Sequence, residues 1–379
     1  MTGLFLYLSK LSLFSFRNHT EKNISFSSGV TVIWGQNGSG KTSILEAITV
    51  LSMGKSFKTH KQKTIIKKGK NGFIVKGVFL SKNKKEQIAI QNTKQNKQLI
   101  KINGKTITNR KELIGKNNVV VLSPEDQKTT KGGPKERRLF FDRLFSVINI
   151  EYLNTLQRYN RILKQRNAWL SSFYKTKQNE VLENQWDKLL VDVGVKLWDL
   201  KNQHFFEFKK ELVRVIKEYN DNINIDLFFS EDALTKEEFE KKTKKNIKRD
   251  IVLKRTTAGP HKDNINILLY DKDIRDVGSQ GEHKIVLTLL KLTEMNIIKK
   301  KTGTQPTLLL DDLFSKLDLN KSKKLVAFLN KMESSLGEPI QTIITTTDLV
   351  NIKKSGLLLS DKKINTYKLE TNCNTLLAQ

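Results

Sequence analysis

The chain has 379 residues, of which 37% are hydrophobic and 28% charged, with 68 basic and 39 acidic side chains and a net charge of +29. This composition excludes a largely disordered chain, and no apolar stretch reaches the roughly 20 residues that a membrane helix needs. The only cysteine, Cys373, excludes an internal disulfide and a thiolate metal site. The N-terminal residues lack the features of a secretory signal, so we expect a cytoplasmic protein.

The positive charge predicts polyanionic partners, with nucleic acid favoured. A bias of the coding sequence toward lysine is the alternative explanation, but such a bias does not by itself remove acidic residues. The basic segment 55–76 contains eight lysines and no acid. It is either a solvated surface or a contact for DNA phosphates.

In chain order, short apolar runs bounded by turn residues predict strands at both ends of the chain. They lie at Val30–Trp34 and at residues 73–80, 119–122, 307–310 and 340–344. Between them, residues 135–258 contain no proline and one glycine, and apolar residues recur at intervals of three and four. We predict an α/β fold: a head domain from residues 1–122 and 250–379, interrupted by a mostly helical arm at 123–249.

A phosphate-binding loop follows the first of these strands and precedes a helical run at 43–48. The loop matches the pattern G-x-x-x-x-G-K-[ST], which cradles nucleotide phosphates with backbone N–H groups at a helix N-terminus. Lys41 is predicted to bind the β and γ phosphates of ATP, and Thr42 to bind Mg²⁺. The predicted nucleotide contacts are Gly35, Gln36, Asn37, Gly38, Ser39, Gly40, Lys41, Thr42 and Ser43.

Two adjacent acids end the apolar run at 307–310 and supply the carboxylates that a phosphate loop requires. Asp311 is predicted to hold Mg²⁺, directly or through water. Asp312 is predicted to orient or deprotonate the attacking water, which makes it catalytic together with Lys41. Without the loop, such an acid pair would more often be a turn or a helix cap.

Just before this second motif, Gly278-Ser279-Gln280-Gly281-Glu282 leads into an apolar helix and resembles the signature of ABC-type ATPases. Residues 314–318 resemble the D-loop of these enzymes, and residues 345–348 their switch loop. The order of the motifs, with a helical insert between them, is similar to that of the ABC-type ATPases of the SMC group. The head domain predicted from both chain ends is therefore expected to be an ATPase head. Alone, Ser279 and Gly281 would more simply cap the following helix.

Within that group the chain resembles the bacterial RecF family of recombination mediators over nearly its whole length. The resemblance is carried by the segments Gly54-Lys55-Ser56-Phe57-Lys58, Ser123-Pro124-Glu125-Asp126, Lys164-Gln165-Arg166-Asn167 and Gly259-Pro260-His261-Lys262, and by Gly133-Pro134 with Arg137, Arg138 and Asp142. It implies a slow ATPase of DNA repair and replication that forms an ATP-bound homodimer on single-strand to duplex junctions. It also implies RecR, RecO and RecA as partners, and no membrane.

In such a dimer, Ser279 and Gly281 of one chain would contact the nucleotide bound by Lys41 of the partner subunit. The chain departs from the family at Glu282, where an amide is usual, and at Lys262 and Asn264, where Arg and Asp are usual. Glu282 is expected to add negative charge where the γ-phosphate docks. Gln127 stands near the place of a metal-sensing glutamine.

Three other functions fit part of the sequence. A metabolic P-loop kinase explains neither the helical insert nor the signature. A transporter ATPase subunit fits the ABC motifs but leaves the positive charge unexplained. A mainly structural DNA-binding protein that binds ATP but scarcely hydrolyses it fits both the ABC motifs and the positive charge. Unchanged DNA release by an Asp312→Asn variant would support this function over one in which ATP hydrolysis controls DNA release.

Overall fold

A computed structural model of the protein describes residues 6–59, 61–81, 84–95, 97–173, 185–219, 222–313, 319–336, 339–357 and 364–370. Cys373 and the D-loop segment 314–318 lie outside these residues. The chain divides into two compact units, which we call the head unit (1–126 and 294–379) and the inserted unit (127–293). Residues 250–293 thus group with the inserted unit by contacts, and their assignment to an ATPase head stays a prediction.

The helices and strands follow one another in this order. The first half contains β1 Tyr7–Phe16, β2 His19–Ser25, β3 Val30–Trp34, α1 Lys41–Met53, β4 Gly72–Leu80, β5 Lys85–Thr93, β6 Gln98–Ile102, β7 Lys105–Ile107, β8 Val119–Leu122, α2 Lys128–Lys131, α3 Pro134–Ile148 and α4 Ile150–Ser172. The second contains α5 Gln185–Tyr219, β9 Ile225–Phe229, α6 Lys236–Leu253, β10 Ile265–Leu269, β11 Lys272–Asp273, α7 Ile274–Val277, α8 Gln280–Thr302, β12 Thr307–Asp311, α9 Leu319–Leu336, β13 Thr342–Thr346, α10 Val350–Lys354 and β14 Ile364–Lys368.

A five-stranded parallel sheet in the order β14-β3-β13-β12-β8 forms one layer of the head unit. Every residue of β8, β12 and β13 is buried, as expected for strands covered on both faces. The predicted strands 30–34 and 119–122 are confirmed, and 307–310 extends by one residue. Because the chain returns to this sheet after the inserted unit, the α/β fold assembled from both chain ends is confirmed.

The strand predicted at 340–344 is wrong by two residues, because the observed strand β13 begins at Thr342 and ends at Thr346. Gln341 is buried and lies outside the ladder, because its amide joins other elements. Its Nε2 donates to the carbonyls of Leu8 (2.8 Å) and Ser27 (2.9 Å), and its Oε1 accepts from the N–H of Leu8 (2.9 Å). The ladder with β12 starts one residue later, where Leu308 pairs with Thr342.

A six-stranded antiparallel sheet in the order β2-β1-β4-β5-β6-β7 forms the second layer of the head unit. Its strands alternate buried and exposed residues, as β4 and β5 show most regularly. Helix α1 contacts strands of both sheets, and nearly all of its residues are buried. The helix that follows the phosphate-binding loop is therefore fixed in the hydrophobic core of the unit.

In the inserted unit the long helices α4, α5 and α6 confirm the helical periodicity. The mostly helical arm predicted at 123–249 also contains a strand that was not predicted, β9, which pairs with β10 in a three-stranded sheet. Ile225 and Leu227 of β9 are buried, and they alternate with more exposed neighbours. Among the described residues, no helix is long and apolar enough to cross a bilayer.

Candidate nucleotide-binding site

The loop between β3 and α1 lies at the carboxyl end of the parallel sheet, where ligands of α/β folds commonly bind. Gly40 precedes α1 with φ +96°, a left-handed conformation that favours glycine. A Cβ at this position would come within 2.6 Å of side-chain nitrogens of Asn18 and His19. This close approach requires glycine. The N-terminal N–H groups of α1, which begins at the next residue, can face an anion.

Lys41 lies partly under the loop that precedes it. Its Nζ donates to the carbonyl oxygens of Gly35 (2.7 Å) and Gln36 (2.8 Å). Burial lowers the pKa of Lys41, while the charges of Asp312 and Asp311 oppose that effect. A bound polyphosphate would add negative charge beside the ammonium group and stabilise its charged form.

Asp311 ends β12 and accepts two hydrogen bonds on one carboxylate oxygen. The hydroxyl groups of Thr42 (2.8 Å) and Thr345 (2.7 Å) both donate to its Oδ1. Burial raises the pKa of Asp311, and the two hydroxyl groups oppose that rise. The structure thus brings together Thr42 and Asp311, the two predicted metal ligands, and hard oxygen ligands of this kind suit Mg²⁺.

Asp312 has φ +53°, which is uncommon for a residue other than glycine. Its N–H donates to the carbonyl (3.0 Å) and the hydroxyl (3.2 Å) of Thr345 at the end of β13. Local strain of this kind persists where neighbouring groups hold it and is common at functional sites. Thr345, in the predicted switch segment, therefore contacts both acids of the pair.

A pocket of about 680 Å³ contains the predicted site in the head unit. Of the predicted residues, the lining includes Asn37, Gly38, Gly40, Lys41, Thr42, Ser43, Asp311 and Asp312. Gly35 and Gln36 do not line it, since their carbonyls hold Lys41. Ser39 is buried beside it, and among the described residues its hydroxyl has no hydrogen-bond partner.

Several lining residues were not assigned to the nucleotide site by the sequence analysis, which named Lys58 and Glu125 only within segments that carry the family resemblance and did not name Arg17 or Asn18. Arg17 and Asn18 come from the turn between β1 and β2, Lys58 from the basic segment, and Glu125 from the turn after β8. Arg17 is held in place by a bidentate pair with Glu46 of α1, with distances of 2.7 and 2.6 Å. The pocket therefore combines cations and carboxylates, as a metal-bound triphosphate requires.

The predicted signature residues Ser279 and Gly281 belong to the inserted unit, as does Gln127. Ser279 is exposed immediately before α8. The carboxylate of Glu282, which is expected to add negative charge at the signature, accepts the N–H of Ser279 at 2.7 Å. The Glu282 N–H in turn donates to the Ser279 hydroxyl at 3.3 Å, which completes a capping box.

Comparison with known proteins agrees with this site and fold. Residues 7–374 match the model of the RecF/RecN/SMC N-terminal domain family. The DNA replication and repair protein RecF of Thermoanaerobacter pseudethanolicus is 34% identical over 90% of this chain and 94% of that protein. RecF of Clostridioides difficile is 33% identical over 96% of each chain.

Solved structures of related proteins share the fold of this chain. The structure of a recombination mediator protein RecF with ATP, in the RecFOR pathway, superposes with a TM-score of 0.83 at 30% identity, covering 91% of this chain and 93% of that one. An Smc head domain from Pyrococcus furiosus shares the fold at a TM-score of 0.53 and 18% identity, covering 97% and 94%. On its motifs, fold and near full-length similarity, this chain belongs to the RecF family of the RecF/RecN/SMC group.

Proposed function

We propose that this protein is an ATP-dependent DNA-binding protein of recombinational repair and replication, in which ATP binding closes a homodimer and slow hydrolysis reopens it. The observation that carries the proposal is the convergence of Lys41, Thr42, Asp311 and Asp312 on one pocket of the head unit. A volume of about 680 Å³ is suitable for a nucleoside triphosphate. The ATP complex of a RecF protein with the same fold supports the choice of nucleotide.

In the proposed ATP complex, Lys41 leaves the carbonyls of Gly35 and Gln36 and binds the β and γ phosphates. Thr42 and Asp311 would hold Mg²⁺, which would neutralise part of the charge of the phosphates. Asp312 accepts a hydrogen bond from the attacking water and aligns it with the γ-phosphate. Thr345 fixes both acids, through the carboxylate of one and the N–H of the other.

The composite dimer site uses both units. Ser279 donates its hydroxyl to the γ-phosphate bound by the other subunit, a role that the capping box leaves open because Ser279 Oγ acts there only as an acceptor. The net charge of +29 and the basic segment 55–76 support binding to DNA phosphates, with junctions of single and double strands as the preferred form. By resemblance, RecR, RecO and RecA are the proposed protein partners.

An Asp312→Asn variant tests the hydrolytic switch. We expect it to bind ATP normally, to hydrolyse it at least about 100-fold more slowly, and to remain dimeric on DNA after ATP addition. Sedimentation with ATP, with ADP and without nucleotide, each with and without DNA, measures the assembly. A wild-type protein that sediments as the same monomer in all these conditions contradicts the switch, whereas normal DNA release by the variant favours a structural role with little hydrolysis.

A further inference from the structure

The loop 254–263, between α6 and β10 of the inserted unit, has a buried middle and exposed cations near both ends. Thr256, Ala258 and Pro260 are buried, whereas Arg255 and Lys262 near its two ends are exposed. The nucleotide pocket of the head unit does not use this loop. Its cations therefore need an explanation of their own.

The first half of the loop is fixed by buried hydrogen bonds. Thr256 donates its N–H and its hydroxyl to the side-chain oxygen of Asn167, both at 2.8 Å, and Thr257 donates both groups to Asp250 at 3.0 and 2.6 Å. Arg166, which is completely buried, donates to Asp250 (2.7 Å) and to the Thr256 hydroxyl (2.8 Å). The backbone that carries Arg255 is consequently rigid.

The second half is fixed in the same way. His261 contacts the Tyr159 hydroxyl at 2.7 Å through Nδ1 and the Thr256 carbonyl at 3.1 Å through Nε2. Asp263 accepts from Trp198 Nε1 (2.9 Å) and Lys201 Nζ (2.8 Å). Gly259, at φ +123°, lies so close that a Cβ there would come within 2.5 Å of the Tyr159 oxygen. Lys262 thus also projects from a fixed backbone.

Arg138 of α3 adds a third cation next to these two. It is anchored through Nη1 to the backbone carbonyl of Asp263. Burial lowers the pKa of Lys262, and the charges of Arg255 and Arg138 lower it further. These three side chains form what we call the loop cation cluster.

The acids nearest to the cluster are already paired. Asp250 is bound to Arg166, and Asp263 to Lys201. Within the described part of the chain, Arg255 and Lys262 have no carboxylate at ion-pair distance. The charges of Asp263 and Asp142 act on Arg138, so the positive charge without an ion-paired carboxylate is that of Arg255 and Lys262.

We propose that the loop cation cluster of Arg138, Arg255 and Lys262 binds the phosphodiester backbone of DNA, so that the inserted unit contributes its own DNA contact. Two exposed cations without an ion-paired carboxylate, beside a third cation from another segment, suit a phosphate group, and a guanidinium group can bind two of its oxygens. Because the loop is already rigid, binding costs little ordering entropy. The inference rests on the DNA binding proposed above and names one surface for it.

The test compares two double variants that each remove two positive charges from the inserted unit. In R255A/K262A both changes remove exposed side chains of the cluster. In the matched control, K241A/K245A, both lysines are exposed on α6. Binding of a labelled duplex with a single-stranded overhang is measured over a range of salt concentrations, and urea unfolding confirms that both variants fold as the wild type does.

We expect R255A/K262A to bind about 10-fold more weakly at moderate salt, with the slope of log affinity against log salt reduced by about two. The control should keep nearly the wild-type slope. Equal effects of the two variants, or no effect of either, would overturn the inference but leave the proposed function intact. Failure of the wild type to bind DNA would overturn both, and loss of ATP-dependent dimerisation with unchanged DNA binding would assign the cluster to a subunit contact.

Discussion

Among the single residues of the head unit, Lys41 has the most informative environment. Its ammonium N–H groups donate to the carbonyls of Gly35 and Gln36. A bound phosphate would accept hydrogen bonds from the same N–H groups. Exchange of two neutral carbonyls for charged phosphate oxygens adds the attraction of opposite charges to hydrogen bonds whose donor is already charged. The loop therefore holds Lys41 ready for a phosphate without leaving its charge unpaired.

Replacement of Lys41 by alanine should lower ATP hydrolysis at least about 100-fold, since one stabilising contact to the transition state is lost. Steady-state phosphate release measures the rate, and urea unfolding checks that the fold is intact. Lys68→Ala is a matched control, because Lys68 is an exposed lysine on the lining of the same pocket. An equal loss in both variants would mean that general positive charge, rather than a contact by Lys41, supports the reaction.

The residues of the pocket differ in how far the sequence could predict them. The loop 35–42 and the acid pair were identifiable because their spacing from a strand is local. Arg17, Asn18 and Glu125 belong to neither pattern and enter the pocket through strand order, which one sequence does not encode in a short pattern. Thr345 was assigned to a switch segment, but its bond to Asp311 depends on the pairing of β12 with β13.

For the elements, buried strands and periodic helices were predictable, whereas of the amphipathic strands β4 was predicted, at 73–80, and β5 was not. Strands β3 and β8 are continuous apolar runs and were predicted with their observed bounds. In β5, buried residues alternate with Lys85, Gln87 and Gln91, so in a lysine-rich chain the apolar half of the pattern was hidden. Strand β9 was missed for a related reason, because it is short and lies between two long helices.

The start of α8 is an element whose stability depends on Glu282. Replacement by alanine removes the acceptor of the Ser279 N–H and should weaken the capped helix start by about 1 kcal/mol, whereas glutamine keeps an acceptor and should cost little. Hydrogen exchange of the backbone amides at 279–284 reports this difference locally. If the Ala and Gln variants exchange at the same rate, the carboxylate does not cap the helix.

The loop 254–263 should make the inserted unit sensitive to acid through His261. Burial lowers the pKa of His261 to about 4, and the charges of Lys262 and Arg138 contribute, while the Thr256 carbonyl and Asp250 oppose the shift. A histidine with a lowered pKa favours folding when it is neutral. The stabilisation is therefore complete above the unfolded pKa of about 6.5 and is lost as pH falls toward 4.

We expect the inserted unit to lose about 2 kcal/mol of unfolding free energy through His261 between pH 7 and pH 5. The measurement is urea unfolding followed by tryptophan fluorescence, because three of the four tryptophans, at positions 169, 186 and 198, belong to this unit. His261→Gln removes the titrating group, so the loss of unfolding free energy between pH 7 and pH 5 should be smaller by about 2 kcal/mol in this variant. A variant with the same pH dependence as the wild type would show that His261 is not responsible.

At the scale of the whole molecule, the two units carry different parts of the proposed function. The phosphate-binding loop and the acid pair lie in the head unit, and the signature residues and the loop cation cluster lie in the inserted unit. In the proposed dimer, each nucleotide is bound by the head unit of one subunit and by the signature of the other. This arrangement explains how nucleotide binding and DNA binding can be coupled, since both depend on how two chains associate.

Mixing two inactive variants tests this arrangement. Lys41→Ala inactivates the loop of its own chain, and Ser279→Ala inactivates the signature that its chain offers to the other subunit. In a mixed dimer, one site combines both defects and the other site is intact. In an equal mixture, half of the dimers are mixed and each has one intact site of two, so hydrolysis should recover to about one quarter of the wild-type rate. Each variant alone should stay nearly inactive. Phosphate release measured against mixing ratio should peak at equal amounts, and a mixture that shows only the average of the two inactive variants would mean that loop and signature act within one chain.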